Sequence, residues 1–219
     1  MYRKYLFFDL DGTLTDSMPG ITRSVQYALE HLGIEIHDLC SLARFVGPPL
    51  KESFMTFYGM SEAEAGRAIA LSREYFVPKG MFENELYAGV PELLEATRRA
   101  GCVNVMATSK PEPFARQIAA HFGIEGLFRL ISGSTLDGSR TTKAEVIGHA
   151  LGVLGIAPGE AVMIGDRRHD IEGAAAMGLT AIGVRWGYAP EGELEEARPA
   201  AIADNIDALR RMLLDGLPS

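Results

Sequence analysis

The chain has 219 residues, of which 47% are apolar and 23% charged, with a formal net charge of −8. That length suits one sizeable α/β domain or one domain carrying an insert, and the acidic balance excludes a nucleic-acid backbone or an anionic membrane as the main partner. Cys40 and Cys102 stand far apart without a C-x-x-C pair, and no apolar run approaches a membrane span or a signal h-region, which argues against a disulfide framework or a zinc knuckle, and a cytoplasmic location is expected.

The first element is "YLFF", Tyr5–Phe8, an apolar strand that runs straight into two acids, Asp9 and Asp11. From about Pro19 to Leu86 the pattern changes to consecutive helices. "ITRSVQYALEHLG" puts Ile21, Val25, Leu29 and Leu32 on one stripe. "PLKESFMTFYG" does so with Leu50, Phe54 and Phe57, and "SEAEAGRAIALSREYF" opens on a possible capping box, Ser61 with Glu64. Between the first two of these, "RFVGPPLKESF" predicts a stiff loop at Gly47–Pro49 with Arg44 and Lys51 nearby.

After the helical block, strands alternate with helices. Val103–Ala107, Leu130–Ile131, Ala161–Ile164 and Thr180–Val184 read as strands, and several are apolar throughout, as parallel strands covered on both faces are. "VPELLEATRRAG" predicts a helix with Pro91 in its first turn and Gly101 just past its end. "TTKAEVIGHALGVLG" predicts another, with Val146, Ile147, Ala150, Leu151 and Leu154 at helical spacing. The alternation predicts an α/β fold, a doubly wound, Rossmann-like parallel sheet, with the helical block inserted between its first and second strands. The expected division is a core of residues 1–17 and 87–219 and an inserted helical unit of 18–86.

In open parallel sheets, ligands bind beyond the carboxyl ends of the strands. Asp9 and Asp11 follow the first strand, Thr108, Ser109 and Lys110 the second, and Asp166 and Asp170 follow "AVMIG". Acids gathered on one edge repel one another unless a cation joins them, and Mg²⁺ suits hard oxygen donors. Each residue also has a plainer reading. Asp9, Asp11, Asp166 and Asp170 could be turn or helix caps, Thr108 a strand-end hydroxyl, and Lys143 competes with Lys110 and Arg140 to be the balancing cation.

Taken in order, "DLDGTLTDS", "MATSK", "TTKAEV" and "IGDRRHD" resemble the four motifs of the haloacid dehalogenase superfamily of phosphatases, and the likeness spans nearly the whole chain. "FVGPPLKESF" and "GVRWGYAPEGELEEA" resemble its phosphoglycolate phosphatase and 5′-nucleotidase-like branch. The resemblance implies a Mg²⁺-dependent phosphatase acting on a small phosphorylated metabolite. Asp9 would be the nucleophile that forms an aspartyl-phosphate, and Asp11 the general acid and base. Asp9, the Asp11 carbonyl and Asp166 would hold Mg²⁺, with Asp170 behind them. Thr108 and the Ser109 amide would bind phosphate oxygens, and Lys143 would balance their charge. Arg44 and Lys51 of the insert are expected to read the leaving group. A phosphomutase, which shares these motifs, and a phosphate-binding regulator with little turnover are the alternatives.

Overall fold

The computed structural model describes residues 3–215. The chain runs β1 (Tyr5–Phe8), β2 (Thr15–Asp16), α1 (Met18–His31), α2 (Leu50–Tyr58), α3 (Glu62–Phe76), β3 (Glu85–Leu86), α4 (Val90–Arg99), β4 (Val103–Pro111) and α5 (Glu112–His121). It continues with β5 (Leu130–Ser134), α6 (Lys143–Leu154), β6 (Ala161–Gly165), α7 (Arg168–Ala176), β7 (Thr180–Val184), α8 (Glu193–Ala197), β8 (Ala201–Ala203) and α9 (Ile206–Asp215). Two compact units result. One takes the residues up to Thr15 and from Leu86 on; the other is Asp16–Glu85.

The first unit is built on a six-stranded sheet of order β5-β4-β1-β6-β7-β8 whose neighbours all run parallel. In the centre, Phe7 stands opposite Val105 on one side and Met163 on the other. These three share a face, and Val146, Ile147, Ala150, Ile171 and Ala174 of α6 and α7 cover it. Leu6 and Phe8 point the other way and are equally buried. Coverage on both faces is why "YLFF" carries no alternation.

The structure departs from the sequence expectations at three strands of this sheet, besides adding the two-residue pair β2 and β3. β4 continues to Pro111 instead of stopping at Ala107, because its register with β5 shifts between those residues and pairing resumes at Pro111 with Ser134. Thr108, Ser109 and Lys110 lie in that irregular stretch, and such bulges re-aim side chains. β5 runs on through Ser132, Gly133 and Ser134, residues whose weak strand propensity hid the extension. The edge strand β8, only Ala201–Ala203, is too short and too rich in alanine to read as a strand.

The second unit contains α1, α2, α3 and a 3₁₀ segment, Leu39–Phe45. α3 begins at the Ser61–Glu64 capping box. α2 ends at Gly59, whose φ of 64° is the left-handed conformation that glycine adopts without strain. No helix among the described residues is long and apolar enough to cross a membrane.

Candidate active site

The carboxyl ends of the three central strands β4, β1 and β6 supply most of the site. Asp9 directly follows β1, and its N–H donates to the Ile164 carbonyl of β6 at 2.9 Å, which fixes its backbone to the sheet. Asp166 directly follows β6. Asp170 lies in the first turn of α7 and bends back, so that its Oδ2 accepts from the Arg167 N–H at 3.0 Å. The Asp170 carboxyl occupies the space above Gly165, where any Cβ would collide with it. Asp170 is thus the third residue of α7 rather than its N-cap, bonding back to the N-cap Arg167, and its carboxyl also lies in the acidic cluster.

One carboxylate oxygen from each of Asp9, Asp166 and Asp170 lies within 4.8 Å of the others, and all three residues are buried. Lys143 is the cation between them. Its Nζ is 2.8 Å from Asp9 Oδ1 and 2.7 Å from Asp170 Oδ1, and it donates to the Ala107 carbonyl at 3.0 Å. Thr142 caps α6 through a box with Glu145, which makes Lys143 the first helical residue. A cation there faces the positive end of the helix dipole, so only its carboxylate partners account for the placement. Burial works against its charge, but Asp170 and Asp9 outweigh it and hold the Lys143 ammonium pKa above the ordinary lysine value.

The acids are under the opposite stress. Burial, then the charges of Asp170 and Asp9, push the Asp166 carboxyl well above the usual carboxylate range, although the Tyr188 N–H and Arg167 pull against this. Burial also raises Asp170, to about 6; Lys143 opposes the shift and Asp9 adds to it. Asp166 has a hydrogen bond on each oxygen: Oδ1 accepts from the Thr13 hydroxyl at 3.3 Å and Oδ2 from the Tyr188 N–H at 2.7 Å. Gly12, at φ 81°, makes the turn that brings the chain against Asp166, where a Cβ would collide with the carboxylate.

The Asp11 carboxylate is not in the three-acid cluster. It is buried against Lys110, Nζ to Oδ1 3.0 Å. Three candidate cations thus divide. Lys143 serves Asp9 and Asp170, Lys110 serves Asp11, and Arg140 is engaged elsewhere, with the Gly133 carbonyl at 2.7 Å and Glu112 at 3.2 Å. Thr108 is buried, its Oγ1 accepting from the Lys110 N–H at 3.2 Å, and Ser109 beside it is half-buried.

Arg44 and Lys51 belong to the helical unit and have local partners there. The Arg44 guanidinium lies 4.4 Å from the centre of the Phe57 ring, and Lys51 pairs with Glu62 at 3.1 Å. Sequence reasoning missed Thr13, Tyr188 and Glu193 as supports of the site, and leaves Arg167 open between a surface charge and a charge behind the site. Arg167 and Glu193 form a buried ion pair at 2.8 Å. "RR" after Asp166 reads as surface charge or as charge just behind the site, and only the fold brings Glu193 to it.

The donor chemistry fits a divalent cation. Among the described residues, the α/β unit buries five acids, Asp9, Asp11, Asp166, Asp170 and Glu193, against three bases, Lys110, Lys143 and Arg167. The excess is two negative charges, all on hard oxygen donors, and Mg²⁺ prefers such donors.

A family model for haloacid dehalogenase-like hydrolases matches residues 6–184. The chain belongs to that family. Three relatives place it more finely. A 5′-nucleotidase from Pseudomonas aeruginosa is 49% identical over 95% of this chain and 94% of its own length. The tyrosine-protein kinase PtkA of Mycobacterium tuberculosis is 41% identical over 95% of this chain and 72% of its own length. Among solved structures, a predicted phosphatase from Clostridium acetobutylicum superposes with a TM-score of 0.96 at 46% identity, covering 98% of this chain and 100% of that one. This haloacid dehalogenase-like hydrolase is a phosphatase of the family.

Proposed function

We propose that this phosphatase hydrolyses a nucleoside 5′-monophosphate through a phosphoryl group carried transiently on Asp9, with Mg²⁺ as cofactor. The observation that carries the reading is Lys143, a buried ammonium held between Asp9 and Asp170 on the same edge as Asp166. The nucleotide leaving group is supported by the 49% identity to the Pseudomonas 5′-nucleotidase; 2-phosphoglycolate is the competing substrate.

A carboxylate oxygen of Asp9 attacks phosphorus, and the phosphorus–oxygen bond to the leaving group breaks. Asp11 gives that oxygen its proton, so the alcohol leaves neutral. Asp11 then takes a proton from water, whose oxygen attacks phosphorus. The bond to Asp9 breaks, inorganic phosphate leaves, and both acids return to their starting states. Lys143 balances the charge gathered on Asp9 and the phosphoryl oxygens, and Thr108 with the Ser109 N–H binds those oxygens. Lys110 orients the Asp11 carboxyl. Asp9, the Asp11 carbonyl and Asp166, with Asp170 behind them, would hold Mg²⁺, which supplies positive charge to the phosphoryl group when bound.

The test is phosphate release from a panel of nucleoside monophosphates, 2-phosphoglycolate, sugar phosphates and pyrophosphate, with and without Mg²⁺, beside Asp9→Asn. Nucleoside monophosphates should lead by kcat/KM, and Asp9→Asn should be inactive on all. Equal release by Asp9→Asn and wild type removes the mechanism; preference for 2-phosphoglycolate removes the nucleotide assignment alone.

A further inference from the structure

We infer that the loop Trp186–Glu193 is a brace for Asp166, and that the buried Arg167–Glu193 pair and Trp186 are positioning residues for metal binding. The inference rests on the metal reading above and adds residues that never touch substrate.

The loop follows β7 and is tied to the site at both ends. At its start, the Trp186 indole N–H donates to the Thr13 carbonyl at 3.1 Å, and the Thr13 hydroxyl donates to Asp166. The Tyr188 N–H donates to the other oxygen of Asp166. Between these two anchors, Gly187 passes so close that a Cβ would collide with the Asp166 side chain. At its end, the Glu193 carboxylate accepts from Arg167 Nε at 2.8 Å, from Arg167 Nη2 at 3.2 Å and from the Arg168 N–H at 3.0 Å.

Arg167 is the joint. Its side chain holds Glu193, while its own N–H holds Asp170. The loop is therefore clamped to residues 166, 167 and 168 in succession, and both oxygens of Asp166 take their hydrogen bonds from this assembly. A buried ion pair is a poor source of stability compared with an apolar pair of the same volume. With side chains only 10% and 8% exposed, this one is explained by what it aims. Outer residues that orient a ligating carboxylate typically govern metal affinity by about 10- to 100-fold.

Wild type, Glu193→Gln, Trp186→Phe, Asp166→Asn and Arg185→Ala are titrated with Mg²⁺ by calorimetry in the absence of substrate, and kcat is then followed against Mg²⁺ concentration. Glu193→Gln and Trp186→Phe should bind Mg²⁺ about 10- to 100-fold more weakly and regain most of kcat at high Mg²⁺, with KM for substrate unchanged. Arg185 pairs only with Glu195 and Asp204 at the surface, and Arg185→Ala should titrate like wild type. Wild-type affinity in both Glu193→Gln and Trp186→Phe overturns the brace, even if either melts earlier. Should Glu193→Gln fail to fold, Trp186→Phe decides. If wild type takes up no Mg²⁺, or Asp166→Asn binds it as well as wild type does, the metal reading falls and the brace with it.

Discussion

The two units bury different kinds of polar group. Among the described residues, every buried charged side chain lies in the α/β unit: Asp9, Asp11, Lys110, Lys143, Asp166, Arg167, Asp170 and Glu193. The helical unit buries only neutral ones, Ser17, Thr22, Ser24, Ser53, Ser72 and Asn84. Several of these are satisfied within their own helix, as when the Thr22 hydroxyl donates to the Met18 carbonyl at 2.7 Å and that of Ser24 to the Ile21 carbonyl at 2.8 Å. Its ion pairs are on the surface: the side chains of Lys51 and Glu62 are 49% and 76% exposed. Burying a charge costs far more than burying a hydroxyl. One unit is thus arranged for packing, while the other accepts an electrostatic cost at one edge of its sheet, where charge does chemistry.

Substitutions can sharpen or break that contrast. The largest effect is expected for Asp9→Asn, which should lower kcat by roughly four orders of magnitude or more while leaving the melting temperature of the metal-free protein unchanged or higher, since it relieves a crowd of acids. A loss of fold alongside activity would contradict the view that Asp9 serves chemistry at the expense of stability.

Next comes Lys143→Met, which leaves Asp9 and Asp170 buried without their cation. Chemical denaturation should show a loss of about 3–5 kcal/mol. Lys51→Met in the helical unit should cost no more than about 1 kcal/mol by the same measurement. Similar costs at the two lysines would erase the distinction between the units.

A pH series gives a smaller effect. Asp170 is raised to about 6 and Asp166 is raised as well, so both titrate higher in the fold than in the unfolded chain. Their contribution to the stability of the metal-free protein is complete below about pH 4, the unfolded value for Asp. For Asp170 it is lost as pH rises through the folded value near 6, and for Asp166 it is lost in the same direction as that carboxyl ionises above the ordinary carboxylate range. Mg²⁺ needs the ionised carboxylates, so its addition should raise the melting temperature more at pH 8 than at pH 5. An equal increment at both would mean that these acids are not the ligands.

The smallest effect is expected in the helical unit. Arg44→Ala removes a guanidinium stacked on Phe57. If the insert selects the leaving group, KM for the best nucleotide should rise a few-fold while that for a small aryl phosphate stays put. Parallel changes on both substrates would leave the insert a structural element only.

Much of this was legible in the sequence because it is written in local patterns. β1 and β7 lie where their apolar runs do, and α3 and α6 start at boxes spelled out as Ser61–Glu64 and Thr142–Glu145. Asp9, Lys143, Asp166 and Asp170 converge because each follows a strand or opens a helix, and that much is readable along the chain. The choice of Lys143 over Lys110 and Arg140 rests on the resemblance of its motif, since three lone cations have no periodicity, and the fold shows which acids each one meets. The Arg167–Glu193 pair spans 26 positions and the Trp186–Thr13 bond 173. No window along the sequence holds such a relation.

The position of β1 also sets an order of events. β1 sits mid-sheet, between β4 and β6, so Tyr5 must wait for Val103 and Ala161, both far along the chain, before its pairing is complete. Contacts this distant in sequence form late, whereas the Asp16–Glu85 unit is contiguous along the chain. During refolding, helical circular dichroism should therefore recover first, and the capacity to turn over substrate only once β6 has docked. Truncated nascent chains ending before Ala161 would carry the nucleophile and its helices, yet remain catalytically silent.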